Sequence, residues 1–97
     1  MIEGGVLREN ADDDYIVAHE HSSRHRDEIL RSELCGCFYC LRVFSPGEIE
    51  EWIDKDEAAH IGTTAICPNC GIDSVIGSMS GFPIQQEFLK RMNKHWF

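Results

Sequence analysis

The chain has 97 residues, which is enough for one domain and too few for a catalytic barrel or a doubly wound nucleotide-binding fold. Hydrophobic residues make up 42% of it, one small core that calls for a staple at this size. Lys and Arg number 9 against 17 Asp and Glu, a formal charge of −8. That balance argues against non-specific binding of nucleic acid, which needs phosphate neutralisation.

The N-terminus, Met1-Ile2-Glu3-Gly4-Gly5, has no basic region and no apolar run of signal-peptide length. No apolar stretch is long enough to span a membrane. The sequence therefore reads as cytoplasmic. Residues 1–18 read as a flexible acidic segment, dense in Glu9, Asp12, Asp13 and Asp14. Residues 19–97 read as a single metal-binding domain.

A helix is expected from about Ser22 to Leu34, with Ser22 or Ser23 as its cap and Gly36 just past its end. Leu41 to Phe44 reads as a short strand. Ser45-Pro46-Gly47-Glu48 then combines a cap, a first-turn proline and a capping-box glutamate. This predicts a helical insertion over 46–57, with Ile49, Trp52 and Ile53 on its apolar face. Its outer face would carry Glu48, Glu50, Glu51, Asp54, Asp56 and Glu57 against Lys55 alone. Thr63–Ile66 and Ile72–Ile76 read as the two strands of a hairpin. A last helix runs from Pro83 towards Trp96, with Ile84, Phe88, Met92 and Trp96 four residues apart and Leu89 beside them. Lys90, Arg91, Lys94 and His95 lie in its last turns, where positive charge complements the helix dipole. The expected core is Ile49, Trp52, Ile53, Phe88, Leu89 and Trp96.

Five cysteines carry most of the chemistry. In a reducing compartment, closely spaced cysteines point to metal rather than disulfides, and an odd count leaves one thiol unpaired. Cys37-Phe38-Tyr39-Cys40 and Cys67-Pro68-Asn69-Cys70-Gly71 are two C-x2-C units. Two intervening residues let a tight turn aim both sulfurs at one ion while its N–H groups stabilise the thiolates. Four thiolates suit one Zn²⁺ held tetrahedrally by Cys37, Cys40, Cys67 and Cys70, a closed structural site with no position left for a substrate water. Zinc held this way would leave the cluster at −2. Cys40 and Cys67 have 26 residues between them, beyond the usual spacing of about 15–20, and the predicted helix accounts for the excess. Cys35 is the spare, placed as a packed thiol; a Cys35/Cys40 ligand pair and His60 as a replacement ligand are the alternatives.

The second knuckle matches the CPxCG turn of zinc ribbons residue for residue. The first departs from it, with Phe38 in place of Pro and Leu41 in place of Gly. Together with Ser80-Gly81-Phe82-Pro83-Ile84, the two knuckles are similar to a group of small bacterial cytoplasmic proteins, a resemblance that covers about residues 20–97. It implies zinc and a bacterial or phage source, and no activity. The fold class expected is α+β: a small zinc-ribbon-like antiparallel sheet with about three helices packed around it.

His21 and His25 are four residues apart, as metal ligands on one helix face would be, but they lack the spacing of a metallopeptidase. Asp73 and Ser74 follow the second knuckle and read as groups that satisfy nearby backbone. Arg24, Arg26 and Arg31 form one basic patch, and Lys90, Arg91 and Lys94 another. The leading functional expectation is a non-enzymatic zinc protein that works through protein contacts. It would present Glu48, Glu50, Glu51, Asp54 and Glu57 to a basic protein partner as an adaptor, inhibitor or immunity-type protein. The alternatives are a nucleic-acid or transcription-associated factor and, less favoured, a small metal-dependent hydrolase.

Overall fold

The computed structural model describes residues 14–97. The acidic run at 9–13 lies outside them, so that part of the expected flexible segment has no structural account. Residues 14–18, the rest of it, are helical. Helix α1 is Asp14–Val17, followed by a 3-10 turn, Ala18–Ser22. Tyr15 packs edge-on against His95, and the Arg91 guanidinium lies 4.9 Å over its ring.

Helix α2 is Arg26–Leu30, shorter than the sequence predicts. Ser22 does not cap it. Its hydroxyl donates back to the His19 carbonyl at 2.6 Å, which serves the preceding turn instead. Gly36 lies within strand β1, Cys35–Cys37, and not at a helix end. A side chain at Gly36 would strike Leu89 Cδ1 at 2.9 Å, so it is glycine because the last helix sits on that strand.

Strand β2 is Val43–Phe44. The expected helix over 46–57 is absent. Pro46–Glu48 makes one 3-10 turn, in which the Ser45 N–H donates to Glu48 Oε2 at 3.0 Å. The start signal is thus real, but Ile49 is already extended. Trp52–Lys55 is strand β3, paired antiparallel with β4, Gly62–Ala65. Pairing to a strand ten residues downstream satisfies the backbone that a helix would have satisfied locally. Consequently Ile49 is buried and Trp52 half-buried, whereas Ile53 is 37% exposed.

Strand β5 is Val75–Gly77 and pairs with β1, giving the sheet order β2-β1-β5. The segments flanking the second knuckle therefore do not form one hairpin; β4 and β5 belong to different sheets. Helix α3 is Gln86–Trp96. It starts three residues later than the sequence suggests and buries Leu89 and Met92 fully, while Phe88 is half-buried and Trp96 is 38% exposed.

Among the described residues the fold is α+β, with three helices and antiparallel sheets of three and two strands. Strand alternation splits the interior. One face of the β1–β5 pair gives Cys35, Cys37 and Val75 to a core with Ile29, Phe44, Ile49, Ala65 and Cys67. The other core joins Ile76, Phe38, Ala18, Leu89 and Met92. No helix among the described residues is long and apolar enough to cross a membrane.

Candidate metal centre

Both knuckles are built alike. At the first, Cys37 N–H donates to the Arg42 carbonyl at 2.9 Å and the Leu41 N–H returns to the Cys37 carbonyl at 2.8 Å. At the second, Cys67 N–H donates to Ile72 O at 3.0 Å and Gly71 N–H to Cys67 O at 3.0 Å. Each turn folds its amides onto its first sulfur. Tyr39 and Cys40 N–H donate to Cys37 Sγ at 3.3 and 3.4 Å. Asn69 and Cys70 N–H donate to Cys67 Sγ at 3.3 and 3.5 Å. Such donors stabilise the thiolate over the thiol.

The four sulfurs lie within 4.8 Å of one another. Cys37 and Cys70 Sγ are 3.6 Å apart, and Cys40 and Cys67 Sγ are 3.7 Å apart. A tetrahedron with metal–sulfur bonds of about 2.3 Å has edges of about 3.8 Å, so these spacings fit a single ion. Cys37 and Cys67 are buried, and Cys40 and Cys70 are half-buried. The four cysteines could therefore hold a metal ion. His60 is not among them. It is exposed in the β3–β4 turn with φ 61°.

Two side chains extend the site beyond the cysteines. Ser74, 1% exposed, places Oγ 3.0 Å from Cys37 Sγ. Asn69 Nδ2 donates to Cys40 Sγ at 3.5 Å. Ser74 was legible only as a residue serving nearby backbone; its hydroxyl serves a sulfur instead, while its carbonyl accepts the Phe38 N–H at 2.9 Å. Burial pushes the Cys37 thiol up, opposed by the Ser74 hydroxyl and the knuckle N–H groups. Burial also pushes Cys40 up, but donation from Asn69 and the Arg42 N–H, with the neighbouring thiols, outweighs it and brings the group to about 7. Cys70 is raised by burial and by the adjacent Cys37. The spare, Cys35, is fully buried on β1 outside the cluster, and burial alone pushes it to about 12.

Among the described residues the histidines form no second cluster of metal-ligating groups. His21 Nδ1 meets both Glu28 carboxylate oxygens, at 3.1 and 3.0 Å. Both ring nitrogens of His25 are taken by backbone, Nδ1 at His21 O and Nε2 at the Ala65 N–H. Asp73 is exposed. The acidic residues Glu48, Glu50, Glu51, Asp54, Asp56 and Glu57 are all exposed, but they spread along a 3-10 turn and the β3–β4 hairpin and share no helix face. Asp54 Oδ2 accepts the Thr64 hydroxyl at 2.7 Å, and Asp56 Oδ1 caps the turn through Ala58 N–H at 2.7 Å. Of the basic residues, Arg26 is engaged, donating to Gly62 O at 2.8 Å with its guanidinium 4.5 Å over the Trp52 ring. Compared with known proteins, the chain matches no family model, no curated protein and no solved structure.

Proposed function

We propose that this is a cytoplasmic zinc-binding protein whose single Zn²⁺, held by Cys37, Cys40, Cys67 and Cys70, is structural. The convergence of four sulfurs within 4.8 Å, with two of their separations close to a tetrahedral edge, carries the reading. Four thiolates fill the coordination sphere and leave no place for a reacting water. Binding energy at such a site is folding energy, about 10–16 kcal/mol apparent in zinc-finger peptides. The ion joins β1 to the chain that follows β4, and so ties the two sheets together.

The function then lies in contacts with another protein. The acidic surface is the β3–β4 hairpin with its approach, where Glu50, Glu51 and Glu57 are exposed. Glu50 and Glu51 also line the cleft beside the second knuckle. A basic partner would be steered to it electrostatically. Asp54 and Asp56 serve the hairpin itself, so the test leaves them intact. Glu50→Lys, Glu51→Lys and Glu57→Lys together should retain one zinc per chain and abolish recovery of the partner from host lysate. Equal recovery by the reversed variant would overturn this surface.

A nucleic-acid role draws on one observation. Lys90 and Lys94 are exposed, and among the described residues neither pairs with a carboxylate. Salt-dependent binding of DNA or RNA lost on Lys90→Glu and Lys94→Glu would favour it.

A further inference from the structure

Strand β4 has two edges, and among the described residues only one is paired to a strand. β3 covers the first. Along the second, the Thr63 carbonyl and the Ala65 N–H face away from β3, and one residue meets both. His25 N–H donates to Thr63 O at 2.8 Å, and Ala65 N–H donates to His25 Nε2 at 3.0 Å. Arg24 N–H adds a bond to Thr64 Oγ1 at 2.8 Å. A neighbouring strand would supply the same donor and acceptor from its backbone. Here a main-chain amide and an imidazole supply them.

The partners fix the proton. The Ala65 N–H is a donor, so Nε2 must offer a lone pair. The His21 carbonyl is an acceptor, so Nδ1 must carry the hydrogen. His25 is therefore neutral, and its ring is buried. A second proton would set donor against donor at Ala65 and place a charge in a buried site. We infer that His25 is a proton-operated latch: its neutral ring completes the edge of β4, and its protonation releases the Arg24–His25 segment from that edge.

The surrounding charges do not rescue the cation. On its own segment the nearest are His21, whose charge would oppose it, and Glu28, whose charge would favour it. Glu28 already holds His21 with both oxygens. Arg24 and Arg26 flank the residue in sequence, and Glu20, Asp27 and Arg31 lie along the same cleft. From the facing hairpin, Asp56 lines that cleft and Asp54 is bound to Thr64. Desolvation is the largest influence on the ring and holds it below its ordinary 6.5. A depressed histidine stabilises the fold fully above that ordinary value. The contribution is lost as pH falls through the window beneath it, where the unfolded chain takes up the proton first.

The test is a pH titration of the zinc-loaded full chain by ¹⁵N NMR, from neutral pH downward. At neutral pH, His25 Nε2 should resonate as a bare nitrogen and Nδ1 as a protonated one. On acidification, Ala65 amide protection, corrected for intrinsic exchange, should fall with the His25 midpoint. One proton per opening event gives about tenfold per pH unit. The Cys40 and Cys70 amides should stay protected over the same range, which separates the latch from loss of metal. His25→Gln keeps an acceptor and a donor but cannot titrate, and should flatten the Ala65 profile. Should that variant not fold, the ring-nitrogen shifts of the natural chain still decide. A protonated Nε2 at neutral pH overturns the latch, as does a His25 titration that leaves Ala65 protection unchanged, or a folded His25→Gln whose profile matches the natural chain.

Discussion

Leu41 and Gly71 occupy the same position in the two knuckles, one residue after the second cysteine, and both adopt left-handed backbone, φ 68° and φ 79°. Each N–H closes its turn onto the carbonyl of the first cysteine. Glycine takes this conformation freely, whereas leucine forgoes about 1–2 kcal/mol. The first knuckle is therefore built to the same geometry against a local penalty. Leu41 offsets it by packing half-buried against the core under α3.

This asymmetry is measurable. A Cβ at Gly71 would meet nothing within 4 Å, so Gly71→Ala carries only the backbone cost, and denaturant unfolding of the zinc-loaded protein should show a loss of about 1–2 kcal/mol. Leu41→Gly should be near neutral, within about 1 kcal/mol, because relief of the backbone offsets the lost packing. A clear gain of stability in Leu41→Gly would show that the leucine contributes no packing.

Metal stoichiometry is the most direct check. Elemental analysis of protein purified under reducing, chelator-free conditions should give one zinc per chain. Cys37→Ser, Cys40→Ser, Cys67→Ser and Cys70→Ser should each lose it together with cooperative folding, and Cys35→Ser should keep it. In the loaded protein Cys35 should resist thiol reagents, since burial keeps it protonated and covered. After chelation all five thiols should react. Zinc lost from Cys35→Ser alone would move the ligand assignment.

Ser74 and Asn69 should differ in weight. Removing the buried Ser74 hydroxyl leaves Cys37 Sγ without its 3.0 Å contact. Ser74→Ala is expected to weaken zinc affinity by about 10–100-fold, the range for groups that support metal ligands. Asn69→Ala, which removes a longer contact at an exposed position, should weaken it less. A chelator competition titration ranks the two.

Gly62 is the point where the hairpin is tightest. A Cβ there would lie 2.6 Å from both Cβ and O of Trp52, and backbone cannot yield as a flexible side chain can. Gly62→Ala should cost about 1–3 kcal/mol by overpacking and disturb the Arg26–Trp52 contact. Tryptophan fluorescence would report that change, and an unchanged unfolding midpoint would argue against so close an approach.

The knuckles were legible because their chemistry is local. Two residues between cysteines, followed by a position that must turn left-handed, specify a sulfur-centred turn wherever it sits in a fold. The same holds for the basic, amphipathic last helix, which buries Leu89 and Met92 although its start shifted from Pro83 to Gln86 and left Ile84 outside it. The stretch 46–57 was not legible. Its capping box formed, yet the helix it announces stopped after one turn. Ile49, Trp52 and Ile53 fit a helical stripe, and the pattern alone could not see Thr63 and Thr64 waiting as strand partners.

By itself the sequence determined the four-sulfur constellation, the spare thiol and the uneven charge, since each follows from residue identity and short spacing. Only the tertiary structure decided that the acids lie along a hairpin, that β4 and β5 belong to separate sheets, and that His25 serves as a strand's edge rather than a ligand. Those outcomes depend on which distant backbone groups pair, and no local pattern encodes which of them will meet.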